Sequence, residues 1–338
     1  MQRALSRPAA WILLAAAFIV LLWLCLFTGT VEIPFAQTWT VLTGGEASKT
    51  TWTHIVTDLR VPSAITAALT GAALSVAGLM LQTTFNNPLA GPSILGVSTG
   101  ASLGVAIIVL AAPAWLASGV TAIVGATVGA LAVIALLLGF SAVVRSSVML
   151  LIVGIMLGYL TSALISLLNF YATREGVHSY VIWGLGDFTG VGAEHIPAYS
   201  LTVAALLGLA MLMVKPLDAL LMGERYAAAT GTDVTRCRTV ILLVAGLLVA
   251  VTTAFCGPIG FLGLAVPHVA RLMMRTAAHS CLMPATALAG AVAGLLTLWL
   301  ATLPGDRGML PVNSITPLIG VPVVVYIVVR RHRLNYFN

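Results

Sequence analysis

Long apolar runs, separated by short segments that carry most of the charge, make up nearly the whole chain. Lipid offers no hydrogen-bond partner to a backbone amide, so a segment that crosses a membrane satisfies its amides by winding into a helix. About 20 apolar residues are then needed to span the hydrocarbon. The runs predict about ten membrane-spanning helices, near residues 9–27, 64–82, 94–111, 118–140, 148–170, 196–214, 239–256, 261–275, 283–303 and 315–329.

Composition favours the same class of protein. Of the 338 residues, 60% are hydrophobic and only 8% are charged, compared with about 25% charged residues in an average soluble domain. The first run follows Arg3 and Arg7 but ends at Phe27 without an A-x-A cleavage site, which favours an uncleaved helix over a signal peptide. We therefore expect an all-α integral membrane protein in which residues 1–338 form a single transmembrane domain.

The positively charged residues indicate the orientation of the chain. If the N-terminus is cytoplasmic and ten helices cross, the C-terminus is cytoplasmic too, and the outer segments retain only Lys49, Arg60, Arg174 and Arg307. This asymmetry agrees with the positive-inside rule, which the reversed orientation violates. The cations are not gathered on one face or tail, so the formal charge of +6 does not indicate nucleic-acid binding.

The chain has no evident energy source of its own. Its acidic residues fall in predicted loops or at helix ends, so a proton relay inside the membrane is not expected. The segment Gly44–Thr50 ends in Lys-Thr but has Ser48 in place of the second glycine of a phosphate-binding loop. The four cysteines show no metal-ligand spacing. Energy then comes from a partner bound at the cytoplasmic face, or the protein is a passive channel.

The longest cytoplasmic loop, residues 215–238, has the pattern of a projecting element. Asp218 to Thr230 has helix-forming residues, Gly231 is suited to a helix stop, and Asp233 begins another short turn. Two short helices joined at a glycine suit an element that docks in a cleft of another protein. An ordinary amphipathic surface loop is the alternative.

Four motifs, in order along the chain, resemble those of one family. They are Asn87-Pro-Leu-Ala-Gly-Pro92 with Leu95-Gly-Val-Ser-Thr-Gly100, then Met222-Gly-Glu-Arg-Tyr-Ala-Ala-Ala-Thr-Gly-Thr-Asp-Val234, then Gly257-Pro-Ile-Gly-Phe-Leu-Gly-Leu-Ala-Val-Pro-His268-Val-Ala-Arg271, and Leu310-Pro-Val with Leu318-Ile-Gly-Val-Pro322. On these motifs the sequence resembles the FecCD-type permeases, which import iron-siderophores, haem and cobalamin into bacteria. It departs from the family pattern at Ser63, Thr230, Thr232 and Met309.

The resemblance implies a fold, partners and a cargo. The fold is that of a type II ABC importer permease in the bacterial cytoplasmic (inner) membrane. The permease is implied to be a homodimer in lipid, with two copies of an ABC ATPase below it and one periplasmic or lipoprotein substrate-binding protein above it. ATP and Mg bind to the ATPase, while this chain binds no cofactor and is not an enzyme. The implied cargo is a ferric siderophore, haem or cobalamin. A secondary carrier or channel that works without an ATPase is the alternative.

The resemblance also implies roles for particular residues. It places ATPase coupling at Leu221, Met222, Gly223, Glu224, Arg225, Ala228, Gly231, Asp233 and Arg236, and gating and the pathway at Asn87, Leu89, Ser146, Ser147 and Trp183. Docking of the binding protein falls to Arg60, and by its outer position to Arg307.

Each of these roles has a simpler alternative. Ser146 or Ser147 caps the following helix, Trp183 belongs to an interfacial aromatic belt, and the outer arginines anchor at lipid headgroups. His268, in a Pro-His-x-x-Arg motif, is expected to hydrogen-bond to backbone, and no metal site is expected.

Overall fold

A computed structural model describes residues 6–112, 119–144, 146–305 and 308–331, and every regular element within these ranges is helical. The helices are α1 (Arg7–Phe27), α2 (Phe35–Leu42), α3 (Thr50–His54), α4 (Val61–Thr84), α5 (Val97–Ala106), α6 (Gly119–Val143), α7 (Ser147–Tyr171), α8 (Arg174–Gly184), α9 (Ile196–Leu212), α10 (Val214–Leu221), α11 (Glu224–Ala229), α12 (Val234–Cys256), α13 (Leu262–Met274), α14 (His279–Thr302) and α15 (Val312–Arg331). A π-helical turn at Ile55–Arg60 joins α3 to α4, and another at Ile107–Ala111 extends α5.

All ten predicted apolar runs contain helix. Within the described residues, six helices are long and apolar enough to cross a membrane, and the pair α9 and α10, bent by 49°, is a seventh candidate. The other three runs hold the shorter apolar helices Val97–Ala111, Leu262–Met274 and Val312–Val325. The all-helical class is confirmed, while the total of about ten crossings and the cytoplasmic location of both termini stay predictions.

The second spanning helix begins much earlier than predicted. The apolar pattern starts near residue 64, but a continuous helix runs from Thr50 to Thr84 over 35 residues. Asp58 and Arg60 therefore lie within a helix and not in a loop. A helix of this length measures about 50 Å, whereas the hydrocarbon is about 30 Å thick. Its first turns can therefore project beyond the lipid, where charged residues cost little.

The helix α4 lies at the centre of the bundle. In the most apolar stretch of the Thr50–Thr84 helix, 83% of the residues are buried, compared with 17% for α1 and 17% for α7. It packs against α14, α12, α13 and α9, while α5 and α6 pack together on the side of α12. Most of the surface of α1 and α7 therefore remains open to lipid or to another subunit.

The helices α5 and α6 pack with their backbones in direct contact. Gly100 and Gly104 of α5 face Gly129 and Gly125 of α6, and a Cβ at Gly104 would lie 1.9 Å from the Gly125 carbonyl oxygen. Lipid gives apolar helices no hydrophobic reason to associate, so pairs rely on close van der Waals contact between small residues. The two G-x-x-x-G patterns therefore set the spacing of this pair.

Gly104→Ala is expected to destabilise the protein by about 1–3 kcal/mol, because the added methyl group meets a backbone carbonyl that cannot move alone. The measurement is the midpoint of thermal unfolding in one detergent. Gly208→Ala is the matched control, since Gly208 lies within α9 with nothing within 4 Å of an added Cβ. Equal midpoints for the two variants would contradict the close packing of α5 on α6.

Candidate functional site

The predicted coupling segment, residues 215–238, contains two short helices, α10 and α11, and the first turn of α12. The glycine that joins the short helices is Gly223 (φ +102), and not Gly231 as the sequence pattern predicts. A residue with a Cβ rarely adopts such a φ, so the helix predicted over Asp218–Thr230 breaks at Gly223. Gly231 (φ +86) follows α11 and serves as the predicted stop.

The turn predicted at Asp233 is the start of a long helix. The Oδ1 atom of Asp233 accepts a hydrogen bond from the Arg236 N–H at 3.0 Å and so caps α12. A capped helix can begin at once, because the side chain satisfies an amide that has no partner within the helix. The coupling segment is therefore joined directly to a membrane-spanning helix.

One face of α11 is exposed. Ala227 is buried against the bundle, whereas Met222, Arg225, Tyr226 and Ala228 are exposed. The surface that a partner would meet is therefore partly apolar and positively charged.

Glu224, the first residue of α11, joins two other helices. One of its carboxylate oxygens, Oε1, accepts hydrogen bonds from Nη2 of Arg238 and from Oγ of Ser147, both at 2.6 Å. The Arg238 side chain is 4% exposed and the Glu224 side chain 47%. Burial of a guanidinium is costly without an anion beside it, so Glu224 stabilises Arg238 in α12. The structure thus brings together a predicted coupling residue, Glu224, and a predicted gate residue, Ser147.

Asp218 makes a second connection, from α10 to the bundle. Its Oδ1 atom accepts hydrogen bonds from the His279 backbone N–H at 2.8 Å and from Nδ1 of His279 at 2.7 Å. A further hydrogen bond of 2.8 Å joins Nε2 of the buried His279 to Oγ1 of Thr83 near the end of α4. The motifs did not identify these three residues, since nothing in one sequence pairs positions so far apart.

The loop that contains Asn87 and Leu89 follows α4 and is fixed by its own turn and by α13. Asn87 Oδ1 accepts a hydrogen bond from the Leu89 N–H at 2.9 Å, and the Leu89 side chain is 48% exposed. His268 donates from Nε2 to the Pro88 carbonyl oxygen at 2.8 Å. The expected backbone hydrogen bond of His268 is confirmed, and it holds this gate loop against α13.

Ser146 and Ser147, at the start of α7, have different roles. Ser146 Oγ accepts a hydrogen bond from the Met149 N–H at 3.4 Å, so Ser146 is the helix cap that the simpler interpretation proposes. Ser147 is instead bonded to Glu224. The loop of Asn87 follows α4, whereas Ser147 begins α7. The two predicted gate segments are therefore held by different parts of the bundle.

A polar stripe follows one face of α7. Tyr159, Ser162 and Ser166 are exposed, and their spacing of three and four residues places them on one side of the helix. Polar side chains inside a membrane usually face protein or water and not lipid. This face of α7 is therefore suited to line a polar path or an interface with another subunit.

Trp183 lies at the end of α8, among the segments predicted to be external. It is half-buried and stacks on Tyr180, with ring centroids 6.4 Å apart. Burial raises the pKa of Tyr180, and a hydrogen bond with Ser102 partly offsets that shift. Trp183 is thus held in a structured segment, away from the coupling segment.

Asn313, at the start of α15, fixes the position of that segment. Its Nδ2 donates to the Gly184 carbonyl oxygen at 3.0 Å and also to the Pro258 carbonyl oxygen, while its Oδ1 accepts from the Gly260 N–H at 3.1 Å. One side chain therefore joins the end of α8 to the break between α12 and α13.

Arg60, to which the resemblance assigns docking of the binding protein, is nearly buried. Only 8% exposed, it donates from Nη1 to the Leu26 carbonyl oxygen at 3.0 Å and from Nη2 to the Val31 carbonyl oxygen at 2.6 Å. Because the helix extends back to Thr50, Arg60 lies at the end of α1 and donates one hydrogen bond to α1, at Leu26, and one to the segment that follows it, at Val31. Arg307 lies outside the described residues. Among the described residues, no three His, Cys, Asp or Glu side chains are grouped as metal ligands would be.

The chain matches the family model described as the FecCD transport family over residues 17–330. It is similar to the vitamin B12 import system permease protein BtuC of Vibrio cholerae, with 33% identity over 280 residues, or 82% of this chain and 84% of the relative. BtuC of Salmonella typhi is 31% identical over 278 residues, which are 82% of this chain and 84% of the relative.

A solved structure has nearly the same fold. It is an inward-facing conformation of a chain assigned to a metal-chelate type ABC transporter, and it matches with a TM-score of 0.84 and 27% identity over 96% of this chain and 99% of that chain. The chain therefore belongs to the FecCD transport family: it is a multi-pass inner-membrane ABC importer permease, a transporter subunit and not an enzyme.

Proposed function

We propose that the chain is the permease of a binding-protein-dependent importer that moves a metal chelate into the cell, driven by a separate ATPase. The observation that carries this proposal is the exposed helix α11, whose first residue is bonded to the start of α7. The helix α11 thus connects a surface that a cytoplasmic partner can reach to a predicted gate residue, Ser147. The relatives named for vitamin B12 import and the metal-chelate neighbour support the cargo class of cobalamin, haem or ferric siderophore.

The permease works as a homodimer with its pathway at the two-fold interface. The peripheral position of α7 and its exposed polar stripe of Tyr159, Ser162 and Ser166 support this arrangement. A second copy opposite this face would shield the stripe from lipid, which offers no hydrogen bonds. Two copies of the ATPase bind the exposed faces of the two α11 helices, and one substrate-binding protein delivers cargo at the opposite face.

Proteoliposomes that contain this chain, its ATPase and its binding protein are expected to accumulate cobalamin, haem or a ferric siderophore only when ATP reaches the ATPase. The reason is that the sequence shows no proton relay inside the predicted spans and no complete phosphate-binding loop. Uptake of each radiolabelled chelate is measured against time, and the control is the same complex with an ATPase variant that cannot hydrolyse ATP. Accumulation against a gradient by vesicles with this chain alone would contradict the proposal and favour a secondary carrier.

Arg60→Gln is expected to lower stability by about 1.5–3 kcal/mol, because hydrogen bonds from a nearly buried charged group to the Leu26 and Val31 carbonyls are lost. Affinity for the binding protein is expected to stay unchanged. The thermal midpoint and the dissociation constant are measured on one preparation. Lys49→Gln is the control, since Lys49 is an exposed external cation whose ammonium group lies 4.7 Å from the Trp52 ring centroid. Weaker docking of Arg60→Gln with an unchanged midpoint would instead support a docking role.

A further inference from the structure

The coupling segment is attached to the membrane bundle by two separate polar connections. The α11 tether is the set Ser147, Glu224 and Arg238, in which Glu224 Oε1 accepts both hydrogen bonds. The α10 tether is the set Asp218, His279 and Thr83, in which His279 lies between the other two. Each short helix of the coupling segment thus has its own attachment.

The two tethers end at different gate loops. Thr83 precedes the loop of Asn87, and the Thr83 carbonyl oxygen accepts a hydrogen bond from the Asn86 N–H at 3.1 Å within that loop. Ser147 is the first residue of α7 and follows the other predicted gate position, Ser146. A displacement of α10 is therefore passed to the loop after α4, and a displacement of α11 to the start of α7.

The joint between α10 and α11 allows the two short helices to move separately. Gly223, with its φ of +102, connects them, and no atom lies within 4 Å of the position of an added Cβ. A glycine in open space resists changes of φ and ψ less than any other residue. The Gly223 N–H donates to the Leu220 carbonyl oxygen at 3.0 Å, and the Gly223 carbonyl oxygen accepts from the Ala227 N–H at 3.0 Å. The joint can therefore bend at one residue while the adjoining end of each helix stays hydrogen-bonded.

We propose that the coupling segment controls the two gate loops through separate tethers, with Asp218, His279 and Thr83 positioning the Asn87 loop and Glu224 and Ser147 positioning the start of α7. The proposal rests on the proposed function, because it assumes that an ATPase moves this segment. Coupling between distant sites requires a physical element that both sites bias, and the two tethers are such elements.

The test follows each gate loop in the complete importer, with permease, ATPase and binding protein in lipid nanodiscs. Cys237 and Cys281, which are partly exposed, are first replaced by alanine, while the buried Cys25 and Cys256 are kept. A single cysteine is then introduced by Leu89→Cys or by Met149→Cys, at side chains that are 48% and 59% exposed. The rate of maleimide labelling is measured with and without ATP and vanadate.

Ser147→Ala is expected to reduce the ATP-dependent change in labelling at residue 149 by about fivefold or more, as loss of a hydrogen bond to a charged group predicts. The change at residue 89 is expected to persist. Thr239→Ala is the matched control, because the Thr239 hydroxyl bonds only locally, to the Thr235 carbonyl oxygen at 3.0 Å. Ser147→Thr keeps a hydroxyl group and is expected to restore the response.

Thr83→Val is expected to give the converse result, with the change at residue 89 reduced about fivefold and that at residue 149 kept. It preserves the side-chain shape, and Thr84→Val is the control, because the Thr84 hydroxyl bonds to Met80 O of its own helix at 2.8 Å. If Thr83→Val does not assemble, Asp218→Ala tests the same tether from a side chain that is 39% exposed.

Equal loss at both reporters in either variant, or no loss in any variant, would overturn the proposal of separate tethers. A different failure would count against the proposed function itself. In that case the complex without tether substitutions would show no ATP-dependent labelling change at either reporter.

Discussion

A helix that is interrupted within a membrane protein must have its open backbone groups satisfied by side chains, because lipid supplies no hydrogen bonds. After α4, His268 meets the Pro88 carbonyl oxygen, and after α12, Asn313 joins the Gly260 N–H to the carbonyl oxygens of Gly184 and Pro258. These side chains come from helices distant in sequence. Each break therefore has a defined shape only while the surrounding bundle is packed, so the position of the predicted gate loop after α4 depends on the packing of α13.

The same constraint explains how charge is distributed. Between α4 and α9 the buried polar contact is between uncharged groups, where Thr70 Oγ1 meets Tyr199 Oη at 2.6 Å. The charged contacts of Glu224 and Asp218 lie instead at helix ends in the coupling segment, where both carboxylates are partly exposed. Desolvation of an ion pair costs more than that of a hydroxyl pair. The carboxylates of these two ion pairs therefore lie where an external partner can reach them.

The sequence predicted the fold better than the contacts within the site. Each of the ten predicted apolar runs contains helix, because lipid requires one composition along a whole span. They did not locate the start of the Thr50–Thr84 helix, since a helix can continue into water with a polar composition. The sequence predicted the joint between the two short helices at Gly231 and not at Gly223, because both glycines are compatible with a helix stop. The pairing of Asp218 with His279, 61 residues apart, depends on the packing of α10 against α14 and has no local signal.

The two gate loops differ in how much packing resists their movement. The loop of Asn87 follows the Thr50–Thr84 helix, whose most apolar stretch is 83% buried, while Ser147 starts α7, whose most apolar stretch is 17% buried. Closely packed interiors do not deform gradually, so a shift of α4 as a whole would disrupt contacts with several helices at once. A peripheral helix can tilt with few such losses. An equal displacement of the coupling segment would therefore move α7 as a body, but would move only the end of α4 and the loop after it.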